Sequence, residues 1–370
     1  MIEVIVNRPS FEYDIHSLVK SFFPREDVQI HVQDTFSEDT ALRISVEFTD
    51  ETVSICLMEQ GEEKESGASV INYAERKETK NRLKRQLYQL LCAYTGQTLP
   101  WGTLTGIRPA KIAMGLIEQG MSNVETAEYM RNTYLASKEK VALSVMIANR
   151  ERYVLRNIDY KDGYSLYVGI PFCPSICLYC SFSSYPLERW RKQVDQYLDA
   201  LCKELDYVAD RFRDKKLNTV YIGGGTPTTL EPYQLDRLLT RIQSKFDTEH
   251  LQEFTVEAGR PDSITREKLQ VLLDHGIDRI SINPQTMNQK TLEIIGRRHT
   301  VDQVKEAFAL ARSMGFAHIN MDLIVGLPGE SYDDVEHTMK ELEAMAPDSV
   351  TVHSLAIKRA ARLSLFKDKY

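Results

Sequence analysis

The spacing of hydrophobic and polar residues divides the chain into two stretches. In the first, residues 42–57 alternate between apolar and polar positions, which predicts a β-hairpin with its turn at Asp50 and Glu51. The acidic, glycine-bearing segment 59–69 is predicted to be a solvated connection. Helical spacing then covers residues 73–94, 108–118 and 123–156. Together these elements predict a small α+β domain over residues 1–160.

In the second stretch, short apolar runs alternate with amphipathic helical segments. The predicted strands cover residues 166–170, 219–222, 254–257, 279–283, 319–324 and 349–355. The predicted helices cover residues 190–212, 233–246, 266–275, 301–314 and 333–345. Repeated βα units predict an α/β fold with a parallel sheet and right-handed crossovers. Because there are six strands rather than eight, we expect an incomplete (β/α)6 barrel over residues 161–357.

Composition limits the class of protein. The 370 residues exceed the roughly 250 to 300 that one hydrophobic core serves, which agrees with two domains. No apolar run approaches the ~20 residues that cross a bilayer, and the first ten residues lack the pattern of a signal peptide. The net charge of -7 argues against a nucleic-acid partner. We therefore expect a cytoplasmic protein with no membrane span.

Unusual motifs follow five successive predicted strands. In chain order they read FCPSICLYC, GGGTP, EAGRP, NPQ and GLPGE. The loops after the strands of a parallel α/β fold gather at one face, where ligands bind. A single motif of this kind would indicate only a tight turn, but five at corresponding positions predict a binding site.

The first motif carries the most specific chemistry. Cys173, Cys177 and Cys180 have the spacing C-x-x-x-C-x-x-C, and three thiolates on one loop can hold three irons of a cubane cluster and leave the fourth iron open. A closed zinc site needs a fourth ligand, and no histidine or fourth cysteine lies near this loop in sequence. A disulfide would leave one thiol over. The other cysteines, Cys56, Cys92 and Cys202, are expected to be ordinary buried thiols.

These motifs resemble those of a known family, the radical S-adenosylmethionine (SAM) enzymes. The resemblance rests on YVGIPFCPSICLYC at residues 167–180, GGGTPT at 223–228, SINPQ at 281–285, GRRH at 296–299 and DLIVGLP at 322–328. Together these segments look like oxygen-independent coproporphyrinogen III oxidase and its relatives over residues 165–357. The whole chain, including WGTLTGIRP and VEAGRPD, is most similar to the HemZ-type branch.

The resemblance implies two cofactors and their contacts. The three cysteines would hold a [4Fe-4S] cluster whose open iron chelates SAM, and an electron from a low-potential donor of unknown identity would cleave SAM to methionine and a 5′-deoxyadenosyl radical. The implied SAM contacts are Tyr167, Tyr179, Gly224, Gly225, Thr226 and Glu257. For Tyr179 the alternative is loop packing, and for Glu257 it is a surface salt bridge.

A second SAM molecule is implied more weakly. The matching positions are Gln285, Arg297, Asp322 and Ala356. Alternatively, Arg297, Arg298 and His299 pair with acidic helix residues, and Asp322 satisfies backbone donors at its strand end. A tetrapyrrole substrate carries carboxylates that guanidinium groups can bind through two parallel hydrogen bonds. The candidate cations are Arg260, Arg298, Lys358, Arg359 and Arg362.

The resemblance implies decarboxylation of two propionates of coproporphyrinogen III, which gives protoporphyrinogen IX in haem biosynthesis. One departure matters, since Ser181 and Phe182 follow the third cysteine where the oxidases carry another cysteine. A cysteine followed by a small polar residue and phenylalanine is closer to the sequence of the haem-chaperone branch, so haem binding is the alternative function. A radical SAM reaction on another tetrapyrrole is a third hypothesis. We also expect relatives to continue beyond the segment that corresponds to residues 358–370. This chain is therefore expected to bind the cluster and SAM but to show weak turnover. No catalytic residue is predicted.

Overall fold

The computed structural model describes residues 1–33, 36, 40–106, 108–156, 158–160 and 162–369, and the side chains of 367–369 are not described. It contains two compact units, Met1–Arg156 and Asn157–Tyr370. Lys161 and Tyr370, which bound two of the predicted segments, lie outside the described residues. Within the described residues, no helix combines the length and the apolar character needed to cross a bilayer.

The first unit contains a five-stranded mixed sheet. Its strands are β1 (Ile2–Val6), β2 (Val28–Val32), β3 (Leu42–Phe48), β4 (Thr52–Glu59) and β5 (Glu62–Val70). The order is β2-β1-β3-β4-β5, where β1 is parallel to both neighbours and β3, β4 and β5 form an antiparallel meander. Two helices, α1 (Glu12–Phe22) and α2 (Arg76–Thr95), share one core with this sheet. The predicted hairpin is confirmed, whereas the solvated connection predicted at 59–69 is wrong because this segment is largely strand β5.

Three more helices complete the first unit around a smaller core. They are α3 (Pro109–Glu118), α4 (Asn123–Tyr134) and α5 (Lys138–Leu155). The single helix predicted over 123–156 is therefore wrong. Leu135 adopts a left-handed conformation with φ 54°, which ends α4, and the Ser137 hydroxyl accepts the backbone N–H of Lys140 to begin α5.

The second unit contains a six-stranded parallel sheet. Its strands are β6 (Gly163–Ile170), β9 (Lys216–Gly224), β10 (Glu253–Glu257), β11 (Arg279–Ser281), β12 (His318–Val325) and β13 (Ser349–Ser354). They lie in chain order across the sheet, with β6 and β13 at its edges, so the described sheet is not closed. The predicted α/β fold with its parallel sheet is confirmed. A separate two-stranded pair is formed by β7 (Phe172–Cys173) and β8 (Tyr185–Pro186).

Helices follow the strands of the parallel sheet. They are α6 (Leu187–Trp190), α7 (Val194–Arg211), α8 (Pro232–Lys245), α9 (Arg266–Asp274), α10 (Gln289–Ile294), α11 (Val301–Ser313) and α12 (Tyr332–Met345), and a 3₁₀ segment covers Arg362–Lys369. The sequence prediction did not include α10. The strand predicted over 279–283 is shorter in the structure, where it ends at Ser281. Further along the chain, Gln285 forms an isolated parallel bridge to Leu323.

Side-chain alternation gives the parallel sheet one apolar face and one polar face. Val168, Ile222, Val256 and Met321 are buried in the core that the strands share with the helices. The intervening residues point to the opposite face, because successive side chains of a strand alternate. That face carries Tyr167, Tyr221, Glu257, Asn320 and Asp322. Of these residues, Glu257 is the last of its strand, directly before a motif loop.

Candidate active site

A cavity of about 400 Å³ lies at the carboxyl ends of the parallel strands. Its wall includes every residue predicted to contact the cluster or SAM except one. These residues are Cys173, Cys177, Tyr179, Cys180, Gly224, Gly225, Thr226, Glu257, Gln285, Arg297, Asp322 and Ala356. The exception is Tyr167, which is 62% exposed and stacks on Tyr221 with ring centroids 6.0 Å apart. The structure thus does not place Tyr167 in the cavity wall.

The cysteine loop is fixed at its base and along its length. Strand β7 pairs with β8, which brings Cys173 opposite Pro186. Further along, the backbone N–H of Leu178 donates to the carbonyl oxygen of Ile295 at 2.9 Å, and that of Cys180 donates to Cys177 at 3.2 Å. The loop is therefore held by strand pairing at its base and by backbone hydrogen bonds along its length.

The donor groups of this loop are three cysteine thiols that line one cavity. Cysteine thiolates are the usual ligands of iron–sulfur clusters. Among the described residues, no three cysteine, histidine or carboxylate side chains gather closely enough to hold one metal ion. Burial raises the pKa of the Cys173 thiol, although the Thr226 hydroxyl, 3.6 Å from its sulfur, acts in the opposite direction. Burial likewise raises the pKa of Cys180. Both thiols must lose their protons to ligate iron.

The glycine turn packs directly against the strand that leads into the cysteine loop. A Cβ atom on Gly225 would lie 2.7 Å from the carbonyl oxygens of Ile170 and Phe172. The backbone N–H of Gly225 donates to Ile170 at 2.7 Å, and that of Thr226 donates to Phe172 at 2.8 Å. Gly224 has φ +105°, a conformation that favours glycine. The missing side chains are therefore required by the neighbouring backbone, whether or not a ligand is bound.

Glu257 ends strand β10 beside this turn. Its Oε1 accepts a hydrogen bond from Asn283 Nδ2 at 3.0 Å, and its carboxylate accepts the backbone N–H of Gly224. Burial, followed by repulsion from Asp322, raises the pKa of Glu257 to about 7. Within the described residues Glu257 makes no salt bridge, so the surface ion pair considered for it is wrong. The carboxylate lies at the wall of the cavity, where the charge of Arg297 partly offsets the effects of burial and Asp322 on its pKa.

Arg297 and Tyr179 form another part of the wall. Arg297 Nη2 donates to the Tyr179 hydroxyl at 3.3 Å, and Nη1 donates to the Asn283 carbonyl oxygen. Tyr179 also packs against Leu292, Ile295 and Leu327, so it contributes to loop packing as well as to the cavity. The alternative pairing of Arg297 with acidic helix residues is wrong for the described residues, because its partners are the Tyr179 hydroxyl, the Asn283 carbonyl oxygen and the Cys177 thiol. Burial raises the pKa of Tyr179.

Two buried polar atoms at the cavity wall have no hydrogen-bond partner among the described residues. They are Gln285 Oε1 and Arg297 Nε. Gln285 holds a left-handed conformation with φ 69°, and its backbone bonds to Asp322 and Ile324 on strand β12. The Asp322 carboxylate accepts Asn320 Nδ2 at 2.7 Å, so the alternative role with backbone donors is not seen. Unpaired buried polar atoms are costly unless a ligand or water satisfies them.

The cations predicted to bind carboxylates are placed differently from one another. Lys358 lines the cavity. Arg260 also lines the cavity, but it is only 3% exposed and binds Asp262 with two hydrogen bonds of 3.0 Å, so its role in substrate binding stays a prediction. Arg298, Arg359 and Arg362 are exposed and lie outside the wall.

Some wall residues were not predicted from the sequence. Asn283 contacts Glu257 directly, and Ser175, Ile324, His353 and Leu355 also line the cavity. Asn283 lies within the SINPQ motif, so its position two residues before Gln285 was an available signal. His353 is the penultimate residue of strand β13 and Leu355 directly follows that strand, and nothing in their local sequence marks them.

Comparison with known proteins agrees with this geometry. The model of the Radical SAM superfamily matches residues 167–342. The chain is similar to the oxygen-independent coproporphyrinogen-III oxidase-like protein HemZ of Bacillus subtilis, with 42% identity over 298 residues, 80% of this chain and 60% of that protein. It is also similar to the heme chaperone HemW of Bacillus subtilis, with 38% identity over 195 residues, 52% of this chain and 51% of that protein.

A solved structure is also similar to this chain. The coproporphyrinogen III oxidase HemN from Escherichia coli, described as a radical SAM enzyme, has 28% identity and a TM-score of 0.49, covering 59% of this chain and 54% of that one. The chain thus spans between about half and 60% of the length of these relatives.

Proposed function

The domain at residues 167–342 belongs to the Radical SAM superfamily, and on that premise we propose that Cys173, Cys177 and Cys180 hold its [4Fe-4S] cluster and that SAM binds in the adjoining cavity. The family uses this cluster and SAM. When bound, they supply the reductive cleavage of SAM that gives a 5′-deoxyadenosyl radical. The observation that carries the proposal is the convergence of the three cysteines, Glu257 and the two unpartnered polar atoms on one cavity.

The residues of the wall fit the polar groups of SAM. The Glu257 carboxylate suits an ammonium or hydroxyl group, because its hydrogen-bond partners are two neutral donors and it makes no salt bridge among the described residues. Gln285 Oε1 is an unused acceptor and Arg297 Nε an unused donor. A ligand that bonds to both would remove two unsatisfied buried groups. Tyr179 adds an aromatic surface next to Arg297.

For the reaction, we favour an oxidase-like activity on coproporphyrinogen III. The support is the 42% identity to the HemZ protein over 80% of this chain. The wall also combines apolar side chains, such as Ile176, Ile324 and Leu355, with the cation Lys358. That combination suits a large ring whose edge carries carboxylates. A low-potential electron donor for SAM cleavage would be the second partner. An electron acceptor would also be needed, because the substrate radical loses one electron when carbon dioxide leaves and the vinyl group forms.

A specific observation favours a second candidate, a haem carrier. Phe182 lines the cavity and is 70% exposed, which offers an apolar surface to a flat macrocycle. The similarity to heme chaperones over 52% of the chain points the same way. A haem carrier would bind haem in the same cavity and would not turn over a porphyrinogen.

One experiment separates these candidates. The anaerobically reconstituted protein is incubated with SAM, dithionite and either coproporphyrinogen III or haem. An oxidase-like protein releases carbon dioxide in step with vinyl formation and increases SAM cleavage only with the porphyrinogen. Stable haem binding with no porphyrinogen turnover would overturn the oxidase assignment. Absence of 5′-deoxyadenosine in every sample would overturn the radical SAM activity itself.

A further inference from the structure

Arg260 lies just beyond strand β10 in the motif EAGRP and is almost fully buried. Its Nε and Nη2 each donate to one oxygen of Asp262 at 3.0 Å, so the guanidinium is held by two parallel hydrogen bonds. This arrangement fixes the plane of the guanidinium as well as its position. It therefore also fixes the direction in which the remaining nitrogen, Nη1, points.

Nη1 points at the cysteine loop. It lies 3.1 Å from Ser175 Oγ, 3.3 Å from the Ser175 carbonyl oxygen and 3.8 Å from the sulfur of Cys177. Ser175 Oγ in turn donates to the carbonyl oxygen of Gly296 at 2.9 Å. Asp262 and Arg260 thus link the loop after β10 to the loop that carries the thiols.

The surroundings leave Arg260 with one counter-charge among the described residues, namely Asp262. His299 is fully buried, with Nδ1 3.9 Å from Asp262 Oδ1. Burial and the charges of Arg297 and Arg260 lower the pKa of His299 to about 3, so this imidazole is neutral and does not compete for Asp262. The ion pair therefore presents its cationic end to Cys177.

We propose that Arg260 is a positioning residue that braces Ser175 and, by donating to the Cys177 sulfur, raises the reduction potential of the cluster. The proposal rests on the cluster assignment made above. Reduction adds negative charge to a cluster that already carries thiolates, and hydrogen bonds or cations at the sulfurs stabilise that charge. Asp262 tempers the effect because its negative charge lies on the far side of the guanidinium.

This arrangement predicts two shifts of opposite sign. Arg260→Gln removes the charge and weakens the donor, so the cluster becomes harder to reduce. Asp262→Asn removes the counter-charge and leaves the cation, so the cluster becomes easier to reduce. Arg260→Lys keeps the charge but not the two parallel hydrogen bonds, and its potential should lie between that of Arg260→Gln and the unmodified chain. A purely structural role would give no such ordering.

The test is an electrochemical titration of the reconstituted full chain, followed by the electron paramagnetic resonance signal of the reduced cluster. We expect Arg260→Gln to lower the equilibrium constant for one-electron reduction about tenfold, which corresponds to about 59 mV, and Asp262→Asn to raise it. Arg312→Gln serves as the control, because it breaks an ion pair with Asp348 of 2.8 Å at the opposite ends of the strands. It should not change the potential.

Several results would overturn the proposal. One is an unchanged potential in Arg260→Gln with a full complement of iron, and another is a shift of the same sign in Arg260→Gln and Asp262→Asn. If Arg260→Gln takes up no iron, Arg260→Lys and Asp262→Asn decide by the sign of their shifts. Failure of the unmodified chain to take up iron would instead overturn the cluster assignment, and this proposal with it.

Discussion

Glu257 shows how a single residue couples the cavity to pH. Its carboxyl group is largely removed from water and lies near Asp322, and both effects favour the neutral form. The pKa of about 7 exceeds the ordinary value of 4.5. The folded chain is therefore stabilised below about pH 4.5 relative to higher pH, and this stabilisation is lost as the pH rises through 7.

Replacing Glu257 by Gln removes the ionisable group, and with it this loss of folding stability at high pH. The difference in free energy of unfolding between Glu257→Gln and the unmodified chain should increase by about 2 kcal/mol from pH 5 to pH 8 in the metal-free protein. Urea denaturation measures it, and a Trp101→Phe background leaves Trp190 as the fluorophore of the second unit. An equal difference at both pH values would contradict the account of Glu257.

Gly225 supports a second prediction at the scale of the residue. Gly225→Ala should destabilise the second unit by about 1–3 kcal/mol, because the new methyl group would meet two carbonyl oxygens at 2.7 Å. Gly259→Ala is the matched control, since its Cβ would have its nearest contact at an ordinary 3.7 Å. The same fluorescence assay compares them. Equal stability of the two variants would contradict this prediction, because it would show that the backbone around residue 225 can move to accommodate the methyl group.

At the scale of the element, the strands of the second unit were predictable because each is an apolar run between helical segments. Strand β5 was missed because it is an edge strand whose residues are mostly exposed, so its polar sequence resembles that of a loop. The break between α4 and α5 was missed because Leu135 is an unusual residue for a left-handed position. A local sequence pattern therefore gives little information about a mostly exposed edge strand, or about a residue that adopts a backbone conformation its type rarely takes.

The end of helix α12 offers a prediction at this scale. Ala346 is exposed and left-handed with φ 51°, a conformation that costs an alanine energy but suits glycine. Ala346→Gly should therefore stabilise the second unit by about 1 kcal/mol. Ala344→Gly, also exposed but inside the helix, should destabilise it by about 0.5–1 kcal/mol. A loss of stability in Ala346→Gly, measured by urea denaturation, would contradict this assignment.

At the scale of the whole molecule, the cavity and all its wall residues belong to the second unit. The sequence motifs predicted most of this wall, because loops after parallel strands meet at one face regardless of their separation in sequence. The sequence did not predict the buried contacts of Arg260 or those of Asn283. Such contacts depend on the distances between loops, and a motif does not encode those distances.

The most direct test of the central claim is whether the chain binds a cluster and cleaves SAM through Cys177. The measurement is 5′-deoxyadenosine formed from SAM under anaerobic conditions with dithionite, together with iron content. The unmodified chain should bind about four irons and form 5′-deoxyadenosine, whereas Cys177→Ala should lose the cluster and the product. Cys202→Ala, a change at a buried thiol outside the cavity, should retain both. A full cluster and normal product in Cys177→Ala, or stoichiometric zinc in place of iron in the unmodified chain, would contradict the account.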